Sequence, residues 1–198
     1  VIHLDLETRA VIDLTICGSH RYSLDCNTDV WCLCYHDTST DTSGTWYPGD
    51  KVPDLFLDPF TQFTAWNAQF ERNIHSNILV PRYGFEPIDV DQWEDTAAWS
   101  RQLGLPASLG KAGEVLGLPS DQKKDKDGRT LMMKMAKPRN YTATGEPIWW
   151  DDLEDHKMLD DLVDYCKQDV LAEIAISKML TEVSKFTNRQ TITYYARD

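Results

Sequence analysis

The first nine residues, VIHLDLETR, limit the fold more than any other part of the chain. Ile2, Leu4 and Leu6 alternate with His3, Asp5 and Glu7, the two-residue period of a β-strand. Asp5 and Glu7 therefore project from one face of the most apolar segment in the first part of the sequence. Two carboxylates on a central strand are costly to bury without compensation, and a divalent cation supplies it.

The DLE triplet recurs as Asp152-Leu153-Glu154. That copy opens a helical pattern, where acids cap the first turn and offset the helix dipole, so it reads as capping and solubility. A D-x-E match alone has little specificity. Two further signals accompany the first copy. WNAQFER places Asn67, Phe70 and Glu71 at a strand-to-helix junction, and DYCKQDV places Tyr165 and Asp169 four apart on one helix face.

The coarse pattern predicts strands at 29–37, 45–49 and 63–67, the last running into a helix over AQFERNIHSNILV. A helix capped by Asp95 ends at Gly104, another starts at Ser108 and stops near Gly117 and Pro119, and a long one runs from Asp151 to about Val183. Residues 120–150 read as a charged surface loop or insertion, and 186–198 as a tail or extra strand. Together these give one α/β domain with a mixed sheet and packed helices.

The net charge is −12, which argues against broad nucleic-acid binding, yet Lys111 to Arg139 carry a local balance of +4, leaving −16 elsewhere. Five cysteines without a CxxC pair suit a reduced, cytoplasmic protein. No signal-peptide pattern or bilayer-spanning run is present, so neither secretion nor a membrane is expected. None of the five histidines has metal-site spacing to another, which argues against a His-based zinc site. The chain starts with Val inside a strand pattern, as expected of one trimmed or cut from something larger.

The ordered set Asp5-x-Glu7, Asn67-x-x-Phe70-Glu71 and Tyr165-x-x-x-Asp169 resembles the three motifs of the DEDDy 3′→5′ exonucleases, in the ribonuclease-H-like superfamily. DLETR, NAQFER, SLGKAGEVLGL, KDKDGRTLMMKMAKPR and YCKQDV look like the proofreading exonuclease of bacteriophage-type family A DNA polymerases, over nearly the whole chain to about residue 185. The resemblance implies a three-layer fold, with helices on both faces of the sheet, over residues 1–185. It also implies two divalent cations, Mg²⁺ or Mn²⁺. Asp5, Glu7 and Asp169 would hold the first, Asp5 would bridge to the second, and Glu71 would support it. Tyr165 would orient the attacking water.

The implied substrate is the 3′ end of single-stranded DNA, with RNA as an alternative, in a bacterial or phage-infected cell. A polymerase module in cis or trans is an implied partner. Leu6, Thr8, Asn67 and Phe70 are candidate nucleotide contacts. Within the basic stretch Lys123–Arg139, Lys123, Lys124, Lys126 and Arg129 are candidates for the phosphate backbone. Glu71 departs from the family, which normally has Asp there, and Trp66 stands where His is common. The longer Glu71 leaves open a catalytically weakened binding or docking module.

Overall fold

The computed structural model describes residues 1–118, 126–150 and 155–184. Strand β1, Ile2–Arg9, is the middle of a five-stranded mixed sheet ordered β3-β2-β1-β4-β5. Strands β2 (Asp29–Asp37) and β3 (Thr42–Trp46) continue from it antiparallel, and β4 (Phe63–Ala65) and β5 (Trp93–Asp95) parallel. Paired on both edges and covered on both faces, β1 is buried along most of its length.

The alternation within β1 sorts two layers. Ile2, Leu4 and Leu6 enter the larger core with Leu33, Phe63, Ile74, Ile78 and Leu79. Helix α1 (Leu14–Leu24), helix α2 (Gln69–Ile74), a π-helical stretch His75–Leu79 and helix α3 (Val80–Tyr83) supply that side. Two short helices follow β5: α4 (Thr96–Gln102), whose N-cap Asp95 accepts from the Ala98 N–H at 3.0 Å, and α5 (Leu109–Val115). Ser108 occupies the N-cap position of α5 but makes no side-chain cap bond.

Residues 126–150, part of the stretch read from the sequence as a charged surface loop or insertion, contain regular elements. They carry helix α6 (Lys126–Met135) and a ribbon of β6 (Asn140–Tyr141) with β7 (Pro147–Ile148). Leu131, Met132 and Met135 give α6 an apolar side that packs with Trp31 and Leu162, which is why the segment folds despite its charges. Its end is tied to β1 by the Ala10 N–H donating to the Ala136 carbonyl at 2.9 Å.

The opposite face of the sheet is closed by helix α7, His156–Ser184. Its Val163, Cys166, Val170 and Ile174 pack on Cys32 and Cys34 of β2. Helices therefore cover both faces. Strand β3 begins at Thr42, earlier than the sequence pattern suggested, because Asp37 accepts from Ser39 and Thr40 and tightens the turn. Lys123, Lys124, Asp152-Leu153-Glu154 and 186–198 lie outside the described residues.

Candidate active site

The site forms where α7 crosses β1. Tyr165, Asp169 and Glu173 follow at four-residue steps and share one face of α7. His3, Asp5 and Glu7 share the facing side of β1. His3 Nδ1 donates to the Glu173 carboxylate, and the Cys166 thiol donates to the Asp5 carbonyl at 3.4 Å, so the two elements run antiparallel. Carboxylate oxygens of Asp5 and Glu7 and the Cys166 sulfur lie within 4.8 Å of one another.

Glu71 arrives from the other side. Asn67 takes a left-handed φ of 67°, and its N–H donates to Asp95 Oδ1 at 3.2 Å. That turn redirects the chain from β4 into α2, a conformation Asn tolerates better than most residues. Glu71, in the first turn of α2, is thereby buried, only 3% exposed.

Burial and mutual repulsion set the electrostatics. Glu7 and Asp169 are each 6% exposed, and Asp5 is half-buried. The Glu71 carboxyl is pushed well above its ordinary range, first by burial and then by Asp5, Asp95 and Glu173. The Tyr165 phenol is also raised, by burial first and then by Asp169, Glu7 and Asp5. Like charges about 4 Å apart repel by about 4 kcal/mol at an effective dielectric near 20. A cluster of this kind takes up protons or cations.

The close grouping thus offers two carboxylates and one thiol, and Glu71 Oε2 is buried with no hydrogen-bond partner among the described residues. Of the five residues expected to carry the chemistry, Asp5 and Glu7 come within one coordination distance of each other, Tyr165 feels the charges of Asp169, Glu7 and Asp5, and Glu71 feels that of Asp5; among the described residues, neither Glu71 nor Asp169 joins Asp5 and Glu7 in a group within 4.8 Å.

The nucleotide-contact candidates divide. Leu6 is 5% exposed in the larger core, on the face of β1 away from the carboxylates, so its side chain is not a contact. Thr8 is corrected likewise: it is buried and its hydroxyl is hydrogen-bonded to the Tyr22 phenol at 3.0 Å. Phe70 is half-buried, its ring tilted 44° to Tyr22 at 6.1 Å. Asn67 and Arg129 are exposed. Lys126 lies at the start of α6.

Sequence reading missed the clasp beside the site. Glu173, Thr96 and His3 are all buried, and the Glu173 carboxylate accepts from both Thr96 Oγ1 and His3 Nδ1. The signal existed: Glu173 stands one turn beyond Asp169, and His3 two residues before Asp5. Gly128 was also missed. It packs so closely on Tyr165 that an added Cβ would lie 2.2 Å from ring atom Cδ2.

Comparison with protein-family models and with curated proteins gives no match for this chain. Among the described residues, no helix is long and apolar enough to cross a membrane.

Proposed function

We propose that this chain is a metal-dependent 3′→5′ exonuclease of ribonuclease-H-like fold, acting on the 3′ ends of single-stranded DNA. The observation that carries the reading is that Asp5, Glu7 and Asp169 lie close enough to Tyr165, and Asp5 to Glu71, for their charges to act on them, from three separate elements in the order of the DEDDy motifs. The mixed sheet with helices on both faces agrees with that resemblance.

Asp5, Glu7, Asp169 and Glu71 would hold two Mg²⁺ or Mn²⁺ ions. Bound there, such ions lower the pKa of an attacking water and neutralise charge on the departing 3′ oxygen. Tyr165 remains protonated in its buried, anionic surroundings, so its phenol serves as a hydrogen-bonding guide for the water and not as a base. Only a frayed or unpaired 3′ terminus reaches carboxylates buried this deeply. Glu71, one methylene longer than the family's usual Asp, reaches the cluster from α2 and keeps an unshared oxygen for a cation.

The test is digestion of a 5′-labelled single-stranded DNA, with matched RNA alongside to settle the sugar. Shortening from the 3′ end in Mg²⁺ or Mn²⁺, its arrest by EDTA, and its loss in Asp5→Ala with a native near-UV spectrum are the expected results. Full activity in Asp5→Ala would refute the reading.

A further inference from the structure

The pairing of β1 with β2 shifts between Glu7 and Thr8, leaving Trp31 as the extra residue on β2. Bulges commonly re-aim a side chain beside a site. Trp31 packs with Leu162 of α7 and Met135 of α6, and its indole N–H donates to the Met135 carbonyl at 3.0 Å.

Two residues beyond Glu7, about 7 Å along the strand, Arg9 holds its guanidinium carbon 4.5 Å from the Trp31 ring centroid and 5.3 Å from that of Trp149. Arg9 also bonds Asp29 at 3.3 Å, but its buried Nε has no hydrogen-bond partner among the described residues.

Farther out, the Trp150 indole N–H donates to the carbonyls of Lys134 and Lys137, at 3.3 and 3.2 Å. The Lys134 ammonium stands 4.5 Å and the Arg139 guanidinium carbon 5.6 Å from the Trp150 centroid. Lys134 has no carboxylate partner among the described residues, and Arg139 pairs with Asp155 at 3.3 Å. An indole face holds a cation in place; of these three, Arg9 and Arg139 are also ion-paired, to Asp29 and Asp155.

We propose that Arg9, Lys134 and Arg139, mounted on Trp31, Trp149 and Trp150, form the track for the single strand 5′ of the nucleotide held at the carboxylates. This rests on the exonuclease reading, since a 3′ terminus at the site sends the rest of the strand outward past Glu7. Cations held on indole faces can meet backbone phosphates, and Tyr141, 48% exposed on the neighbouring ribbon, offers a ring for a base to stack on. The chain carries a net charge of −12, so a polyanion docks on it only where cations such as these meet its phosphates.

The experiment measures fluorescence anisotropy of labelled dT20 and dT3 in EDTA, which separates binding from cleavage. K134E/R139E is expected to weaken dT20 at least tenfold and to leave dT3 within twofold. Its salt dependence should flatten by about 1.4 in log–log slope, two contacts at about 0.7 each for a single strand. Lys134→Arg with Arg139→Lys should retain parental affinity, and near-UV circular dichroism checks the tryptophan packing of both variants. Parental dT20 affinity and slope in K134E/R139E would overturn the track. Hydrolysis of thymidine 5′-(p-nitrophenyl phosphate) by the parent protein in Mn²⁺ tests the carboxylate site separately. Failure there, with the dT20 result as expected, would sink the nuclease reading and leave a strand-binding surface.

Discussion

Replacing Gly128 with alanine should reveal how α6 supports Tyr165. An ideal Cβ at Gly128 would stand 2.2 Å from Tyr165 Cδ2 and 2.9 Å from Cγ. Carbon atoms in contact sit about 3.5–4.0 Å apart, so ring or helix must retreat by about 1.5 Å. Tyr165 is only 4% exposed, and the atoms struck are at the root of its ring, so a small swing of the hydroxyl end does not relieve the clash. Overpacking of this kind costs about 1–3 kcal/mol, whereas alanine in place of glycine in a helix returns up to about 1 kcal/mol.

The expected net loss for Gly128→Ala is therefore about 1–2 kcal/mol. In a Tyr165→Ala background the clash disappears and only the helix gain remains, so the sign reverses. A double-mutant cycle by urea denaturation reads this as a coupling of at least about 1 kcal/mol. A displacement near 1 Å in a positioning group costs about 100-fold in rate. Single-turnover digestion of labelled DNA should show that loss. Equal destabilisation by Gly128→Ala in both backgrounds would refute the packing argument.

Burial depresses the His75 pKa to about 4, so the folded state keeps it neutral while the unfolded chain takes up a proton near 6.5. Its stabilising contribution is complete above about 6.5 and is lost as pH falls towards 4, worth about 3 kcal/mol in all. In His75→Leu the urea midpoint should drop less between pH 7 and pH 4 than in the parent, and an equal drop would contradict this. Glu71 has the opposite sign, since its raised pKa means ionisation opposes folding as pH rises. Glu71→Gln should accordingly raise the melting temperature of the metal-free protein more at pH 8 than at pH 5, by calorimetry. Leu6→Ala should cost about 2–5 kcal/mol of stability, with dT20 affinity per folded molecule unchanged in the anisotropy assay.

The parts legible in the sequence are those governed by local geometry. Two-residue alternation placed Asp5 and Glu7 together, and four-residue spacing placed Tyr165 beside Asp169. The same alternation sends Leu6 to the far face, so its assignment as a contact conflicted with the strand that the sequence itself implied. Helix α1 was invisible because Gly18, at φ 74°, splits it and leaves its two halves without a shared apolar stripe. Helix α6 was hidden by its charges, its apolar side being only Leu131, Met132 and Met135 against α7 and Trp31. The placing of Glu71 where it feels the charge of Asp5 depends on the order of strands and on the left-handed turn at Asn67, neither of which any local period encodes.

The clasp of His3, Thr96 and Glu173 has a consequence for alignment. Along helix α7, Glu173 follows Asp169 by one turn and Val170 and Ile174 follow Cys166, so sliding the helix by one turn, about 5.4 Å, would put Glu173 where Asp169 stands and an aliphatic residue in the place of Cys166 and of Val170. Greasy contacts alone distinguish poorly between those two settings. A buried carboxylate that finds its two donors in one setting only works like a key in a lock, fixing which turn of α7 stands opposite Asp5.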